Sequence, residues 1–187
     1  MATALENTVK AYPNLSDIVK LELFEASSPE RCTEIWTEYH KTKYCVNAVA
    51  TKVVYQQLRA LLEIFPVFVL PILKQGGSEF FATFYKDNAI SFIRLEEWKK
   101  LKTNATSALT VMHYTELMES KEIVFMRGEI DPYQINVQEA QFLVNQLQIF
   151  YLDREKLRLV MKFNQEPNNF DYNLLLNYTL PKESLPK

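Results

Sequence analysis

The chain of 187 residues holds only three glycines, two histidines and two cysteines, and each scarcity removes a class of chemistry. Gly76, Gly77 and Gly128 leave no G-x-G-x-x-G and no G-x-x-x-x-G-K-[ST] loop, so neither common phosphate-binding turn is present. Cys32 and Cys45 lack the paired spacing of a zinc site and are too few for a disulfide framework, which fits a reducing compartment. No pair of His or Cys has ligand spacing and Asp131 lacks the neighbouring acids of a calcium loop, so no metal and no cofactor is expected. Basic excess is missing too: 21 Lys and Arg against 23 Asp and Glu give a net charge of -2, which argues against nucleic acid. Lys99, Lys100 and Lys102, the one tight basic cluster, read as a solvated helix face. No apolar run approaches a bilayer-spanning length of about 20 residues, and Phe65–Leu73 is interrupted by Pro66 and Pro71, so a soluble protein is expected. Met1–Lys10 has neither the apolar core of a secretory signal nor the composition of a mitochondrial presequence. The sequons at Asn14, Asn104 and Asn177 matter only in a secreted protein and are discounted.

What is abundant is apolar side chain. A hydrophobic content of 48% in this length fits one domain, able to bury roughly 70% of the surface its unfolded form exposes. The organising stretch is Asn136–Tyr151. Asn136 and Glu139 have the spacing of a capping box, and Val137, Ala140, Leu143, Val144, Leu147, Phe150 and Tyr151 recur at three- and four-residue steps. That predicts a helix of roughly 24 Å, long enough to cross several strands.

The preceding segments supply the strands. Residues 1–13 are expected to be flexible, with a fraying turn over Ala4–Lys10, and Ser16 is expected to cap a helix through Phe24. Ser28-Pro29 starts a helix to about Lys41 with Cys32, Ile35, Trp36 and Tyr39 on one face. Tyr44–Ala50 reads as a strand, and Thr51 then caps a helix with Val54, Leu58, Leu61, Leu62 and Phe65 inward, ended by Pro66. Val67–Leu73 is a strand, Gly76 and Gly77 turn it into Phe80–Lys86, and Asp87-Asn88 turns that into Ala89–Leu95. A short helix over Glu96–Thr103 follows. Ser107–Thr115 and Glu122–Ile130, joined by a polar loop, are apolar on both faces near their centres and so belong in the middle of a sheet. Asp153–Phe163 fits helix or strand, with helix favoured by Leu157, Val160 and Met161. Asn168–Asn177 is a last helix in which Phe170, Leu174 and Asn177 share a side with Leu175, and the tail 179–187 is expected to be flexible. The sum is a single α+β domain over 14–178, with a mainly antiparallel sheet of five or six strands and helices before and after it.

Catalytic constellations are hard to find. His113 and Glu116 sit three apart, which on a strand points them to opposite faces, and neither Ser nor Cys has a nucleophile context. His113 reads as a hydrogen-bonded sheet residue, and His40, at a helix end, as a partly charged partner of the dipole. Instead there are 12 Phe, 10 Tyr and 2 Trp, more than the core easily takes up, and an exposed apolar surface marks a partner. The candidate partner-binding residues are Ile18, Leu21 and Phe24 on the first helix and Trp36 and Tyr39 on the second.

Several segments together resemble a known family: I-W-T-E-Y-H at 35–40, P-V-F-V-L-P at 66–71, G-S-E-F-F at 77–81 and H-Y-T-E-L at 113–117. With them go Glu139-Ala140-Gln141, Asn145-Gln146 to Tyr151, and Phe163-Asn164 with Pro167 and Phe170. The chain is similar, over about Leu15–Leu176, to the mitochondrial ATP synthase catalytic-head assembly factors, the chaperones that bind the beta subunit. The resemblance implies a non-enzymatic, ATP-independent chaperone of the mitochondrial matrix that holds unassembled beta subunit until alpha subunit displaces it. It transfers no catalytic residue. His113, Tyr114, Glu139, Gln141 and Gln148 are either a recognition patch or a structural hydrogen-bond network. Two features depart from the family: no matrix-targeting leader is seen, and Ala50-Thr51 stands where a proline is expected. Competing readings are a general holdase and a small-molecule-binding or hydrolytic domain with a pocket between sheet and central helix near His113.

Overall fold

Two tight turns fix the register of the sheet. The computed structural model describes residues 12–179, so the expectations for residues 1–11 and for the tail from 180 lie outside it. Strands β1 (Cys45–Thr51), β2 (Val67–Lys74), β3 (Gly77–Lys86), β4 (Ala89–Arg94), β5 (Leu109–Tyr114) and β6 (Ile123–Ile130) form one antiparallel sheet in the order β1-β6-β5-β4-β3-β2. Lys74 pairs with Gly77 across a two-residue turn in which Gly76 alone has positive φ, 91°; Gly77 opens β3 instead of serving the turn. Lys86 pairs with Ala89 across Asp87 and Asn88, with φ of 50° and 63°, the mirror-image turn that matches strand twist. β5 and β6 lie inside the sheet, as their two apolar faces predict.

Strand β1 pairs with β6 at one edge while β2 forms the other. Helix α3 (Lys52–Ile64) carries the chain between them, capped by the Thr51 hydroxyl, which accepts from the Val54 amide at 3.4 Å, and ended before Pro66. Its inward residues are Tyr55, Leu58 and Leu62, with Leu61 and Phe65 half-buried. Val54, expected inward, is exposed, because Tyr55 one position on takes the place against the sheet.

Alternate strand residues divide between two cores. On one face Val46, Phe68, Leu70, Phe92, Leu109, Val111 and Met126 meet Ala140, Leu143, Val144, Leu147, Phe150 and Tyr151 of α6 (Val137–Leu152). The capping box forms as predicted: Asn136 Oδ1 accepts from the Glu139 amide at 2.9 Å and Glu139 Oε2 from the Asn136 amide at 3.0 Å. Helix α6 touches both edge strands, so the sheet curls around it. The ambiguous segment after it is helix α7 (Arg154–Gln165), whose Asn164 side chain donates to the Val67 carbonyl at 2.7 Å. The last helix is shorter than expected. Pro167–Asn169 forms a 3-10 turn, Phe170 is extended and buried against Phe68 and Phe163, and Asp171 restarts the chain as α8 (Asn173–Thr179) by accepting from the Asn173 amide at 2.9 Å.

The opposite face carries α1 (Leu21–Ala26) and α2 (Pro29–His40), where Leu15, Phe24, Cys32 and Trp36 pack on Met112, Tyr114 and Phe125. Ser16 is not a cap. Leu15–Asp17 is a separate 3-10 turn closed by Asp17 accepting from the Asn14 amide at 2.7 Å, Glu116 accepts from the buried Leu15 amide at 2.8 Å, and α1 starts afresh at Leu21. Ser28 caps α2 as predicted. The inward row of α2 is Cys32, Trp36 and His40, which leaves Tyr39 outside. Short helices α4 (Leu95–Leu101) and α5 (Met118–Lys121) follow β4 and β5; α5 occupies the stretch expected to be a loop.

Candidate functional site

His113 is the chemical candidate that the sequence offers, and it is buried against α3. The ring stacks on Tyr55 of α3 with centroids 5.0 Å apart, its amide donates to the Asn88 carbonyl at 3.0 Å, and Asn88 Oδ1 accepts from the Tyr55 hydroxyl at 2.8 Å. Burial pulls its pKa down to about 4, so the ring is neutral near pH 7. Glu116 is turned to Leu15 on the other face, as strand alternation predicts. A groove of about 440 Å³ opens beside His113, between Tyr12–Asn14, the Asp87–Ala89 turn and Met112–Glu116. It is not the pocket expected between sheet and central helix; that space is filled by the α6 core.

His40 corrects a second expectation. It is buried under Trp36, its Nδ1 lies 2.8 Å from the Trp36 carbonyl, and burial lowers its pKa, so it is neutral instead of a cation at the helix end. Burial pushes the thiols of Cys32 and Cys45 up, away from the reactive thiolate. Among the described residues no group of three His, Cys, Asp or Glu could hold a metal ion. No helix there is long and apolar enough to cross a membrane.

The five polar residues weighed as a patch are not brought together. His113 and Tyr114 are consecutive on β5 and take opposite faces, with Tyr114 against Trp36 and its pKa pushed by burial up to about 12. Gln141 donates to Asn145 along α6 at 3.0 Å, and Gln148 is half-buried further along. Glu139 closes the capping box and pairs with Lys74. Burial opposes its charge, but Lys74 and the Asn136 amide outweigh that and hold its pKa below the usual value. Lys74 also reaches Glu79 at 3.7 Å, and Glu79 pairs with Arg94 at 2.9 Å, which ties the β2–β3 hairpin to β4 and α6. Beside this chain of ions a cleft of about 790 Å³ separates the hairpin from α4.

Of the five expected partner contacts, Phe24 and Trp36 lie in the second core, where their rings touch Phe125 at 5.7 and 4.8 Å. Ile18 and Leu21 are half-buried on the same cluster. Tyr39 is 44% exposed, with Lys43 over its ring. Exposed apolar residues outside that set include Val53 and Ile64 on α3 at 63% and 64%, and Ile149 and Leu152 on α6 at 40% and 38%. The signal for the α3 pair was present, since the helix has apolar residues on two sides and a sheet can take only one.

The chain is 32% identical over 160 residues to ATP synthase mitochondrial F1 complex assembly factor 1 of Danio rerio, covering 84% of this chain and 53% of the relative. The proteins of that name from Mus musculus and Homo sapiens are 34% and 33% identical over the same share of this chain and 49% of their own length. This chain thus spans about half the length of the curated relatives it matches. The family described as ATP11 protein matches residues 2–176, through every strand and into α8, and the chain belongs to that family.

Proposed function

We propose that this protein is an assembly chaperone for the F1 part of mitochondrial ATP synthase, working in the matrix without catalysis. It binds unassembled beta subunit, prevents its aggregation and gives it up when alpha subunit takes its place. The observation that carries this reading is a family match running through nearly the whole fold, with relatives named as F1 complex assembly factors. A neutral His113 without an acid partner and two raised cysteine thiols fit a binding role better than a hydrolytic one.

The mechanism needs only competing interfaces. An unassembled subunit exposes apolar surface that faces its neighbour in the finished head. A chaperone covering that surface with modest affinity is displaced by a larger, more permanent contact.

Light scattering of purified beta subunit under aggregating conditions tests this, with citrate synthase as control client. The expected result is suppression for beta alone, relieved when alpha is added and an alpha-beta assembly appears. Equal suppression of both clients would reduce the function to a general holdase, and no effect on beta at several-fold excess would refute it.

A further inference from the structure

The outer faces of α2 and α7 are charged: Arg31, Glu34 and Glu38 on one, Arg154, Glu155 and Arg158 on the other, all exposed. Helices α3 and α6 differ. Val53, Gln57, Ala60 and Ile64 recur at i, i+4, i+7 and i+11, so they form one stripe along α3, and all four are exposed. Ile149 and Leu152 are exposed apolar residues of α6, which packs against α3. The Tyr151 hydroxyl donates to the Phe65 carbonyl at 2.6 Å, which brings Leu152 and Ile64, their sequence neighbours, to the same end of the helix pair.

Every charge on these two helices is already matched. Arg59 pairs with Glu63 at 2.7 Å, Lys52 with Glu119, and Glu139, the only charged residue of α6, with Lys74. A partner docking on these two helices meets no uncompensated charge of theirs. An acidic peptide, a nucleic acid or a phosphate headgroup would bury its own charge unpaired, at high cost, whereas an uncharged apolar surface would not. Depletion of charge with retained aliphatic side chains is the composition of an interface centre.

We propose that this uncharged face of α3 and α6 is where the client subunit is held, through an apolar, uncharged patch of its own. The inference rests on the chaperone reading and adds the surface. Ala60, small and central in the stripe, lets the client approach closely.

The test places a charge on the face. Ile64→Lys changes an exposed side chain, so the variant should melt with the wild type while needing about tenfold more chain for half-suppression of beta aggregation. Tyr39→Lys on α2 should leave suppression unchanged. If wild type suppresses and Ile64→Lys does so equally well, the face is wrong while the chaperone reading stands; if wild type itself fails on beta, both fall. A photoreactive residue at Gln57 should cross-link to beta, and one at Glu34 should not, a result that holds even if the lysine variant folds poorly. The reverse pattern would move the site to α2. A wild-type dimer that Ile64→Lys converts to monomer would assign the face to a second copy of this chain and overturn the proposal.

Discussion

His113 shows how a residue chosen as a chemical candidate becomes a stability device. Its folded pKa, about 4, lies below the usual histidine value of 6.5, so the unfolded chain binds the proton more readily. Stability from this group is therefore complete above pH 6.5 and lost as pH falls toward 4, by on the order of 3 kcal/mol. His40, also lowered by burial, acts in the same direction. Urea unfolding of His113→Gln between pH 7 and 4 should show a flatter pH profile than wild type. An unchanged slope would mean that the ring is solvated. Gly128 carries a different constraint. A Cβ there would fall inside contact distance of Val46 Cγ2 and 3.0 Å from Leu109 Cδ1, between β1 and β5. Val46 is β-branched and cannot swing aside freely. Gly128→Ala should cost about 1–3 kcal/mol in urea unfolding; a neutral result would show that β1, an edge strand, can shift.

Among the elements, α6 is set by two side chains at its start. Asn136→Ala removes the bond to the Glu139 amide and should cost about 1 kcal/mol, measured as a shift in urea midpoint at unchanged slope. No shift would mean that Lys74 holds Glu139 and the helix start unaided. This start was legible in the sequence, like Ser28-Pro29 and the Asp87-Asn88 turn, because each is local: the capping atom and the amide it satisfies lie within three residues. Elements whose form depends on distant contacts were not. Ser16 has the composition of a cap, yet Leu15–Asp17 closes as a 3-10 turn docked on Glu116, a hundred residues on, and the helix begins only at Leu21. Phe170 has helical spacing to Leu174, but Phe68 and Phe163 hold it extended. Burial within the candidate surface depends on distant contacts too. Trp36 and Phe24 are large apolar residues on early helices, and nothing local says that Phe125 lies beneath both. Val53 and Ile64 belong to a helix with two apolar sides, and only the assembled sheet decides which side is left over.

At the scale of the molecule, two cores share one sheet. Phe125 packs under Trp36 on one face, while its neighbour Met126 joins the α6 core on the other. The same alternation holds at Val111 and Met112 on β5. Neither helical layer can leave without exposing the back of strands that the other layer needs, and α6 braces both edge strands at once. Unfolding should therefore be a single cooperative transition despite the separation of the cores. The two tryptophans make this measurable, because Trp36 is fully buried under α2 and Trp98 sits on α4 against Phe84 at 4.5 Å. In Trp98→Phe, fluorescence reports the α1–α2 core alone, and its urea midpoint should coincide with that of far-UV circular dichroism. An earlier fluorescence midpoint would show that α1 and α2 peel from the sheet first. The cooperativity argument would then fail on that face, and the α3–α6 face would be left on the more stable part of the fold.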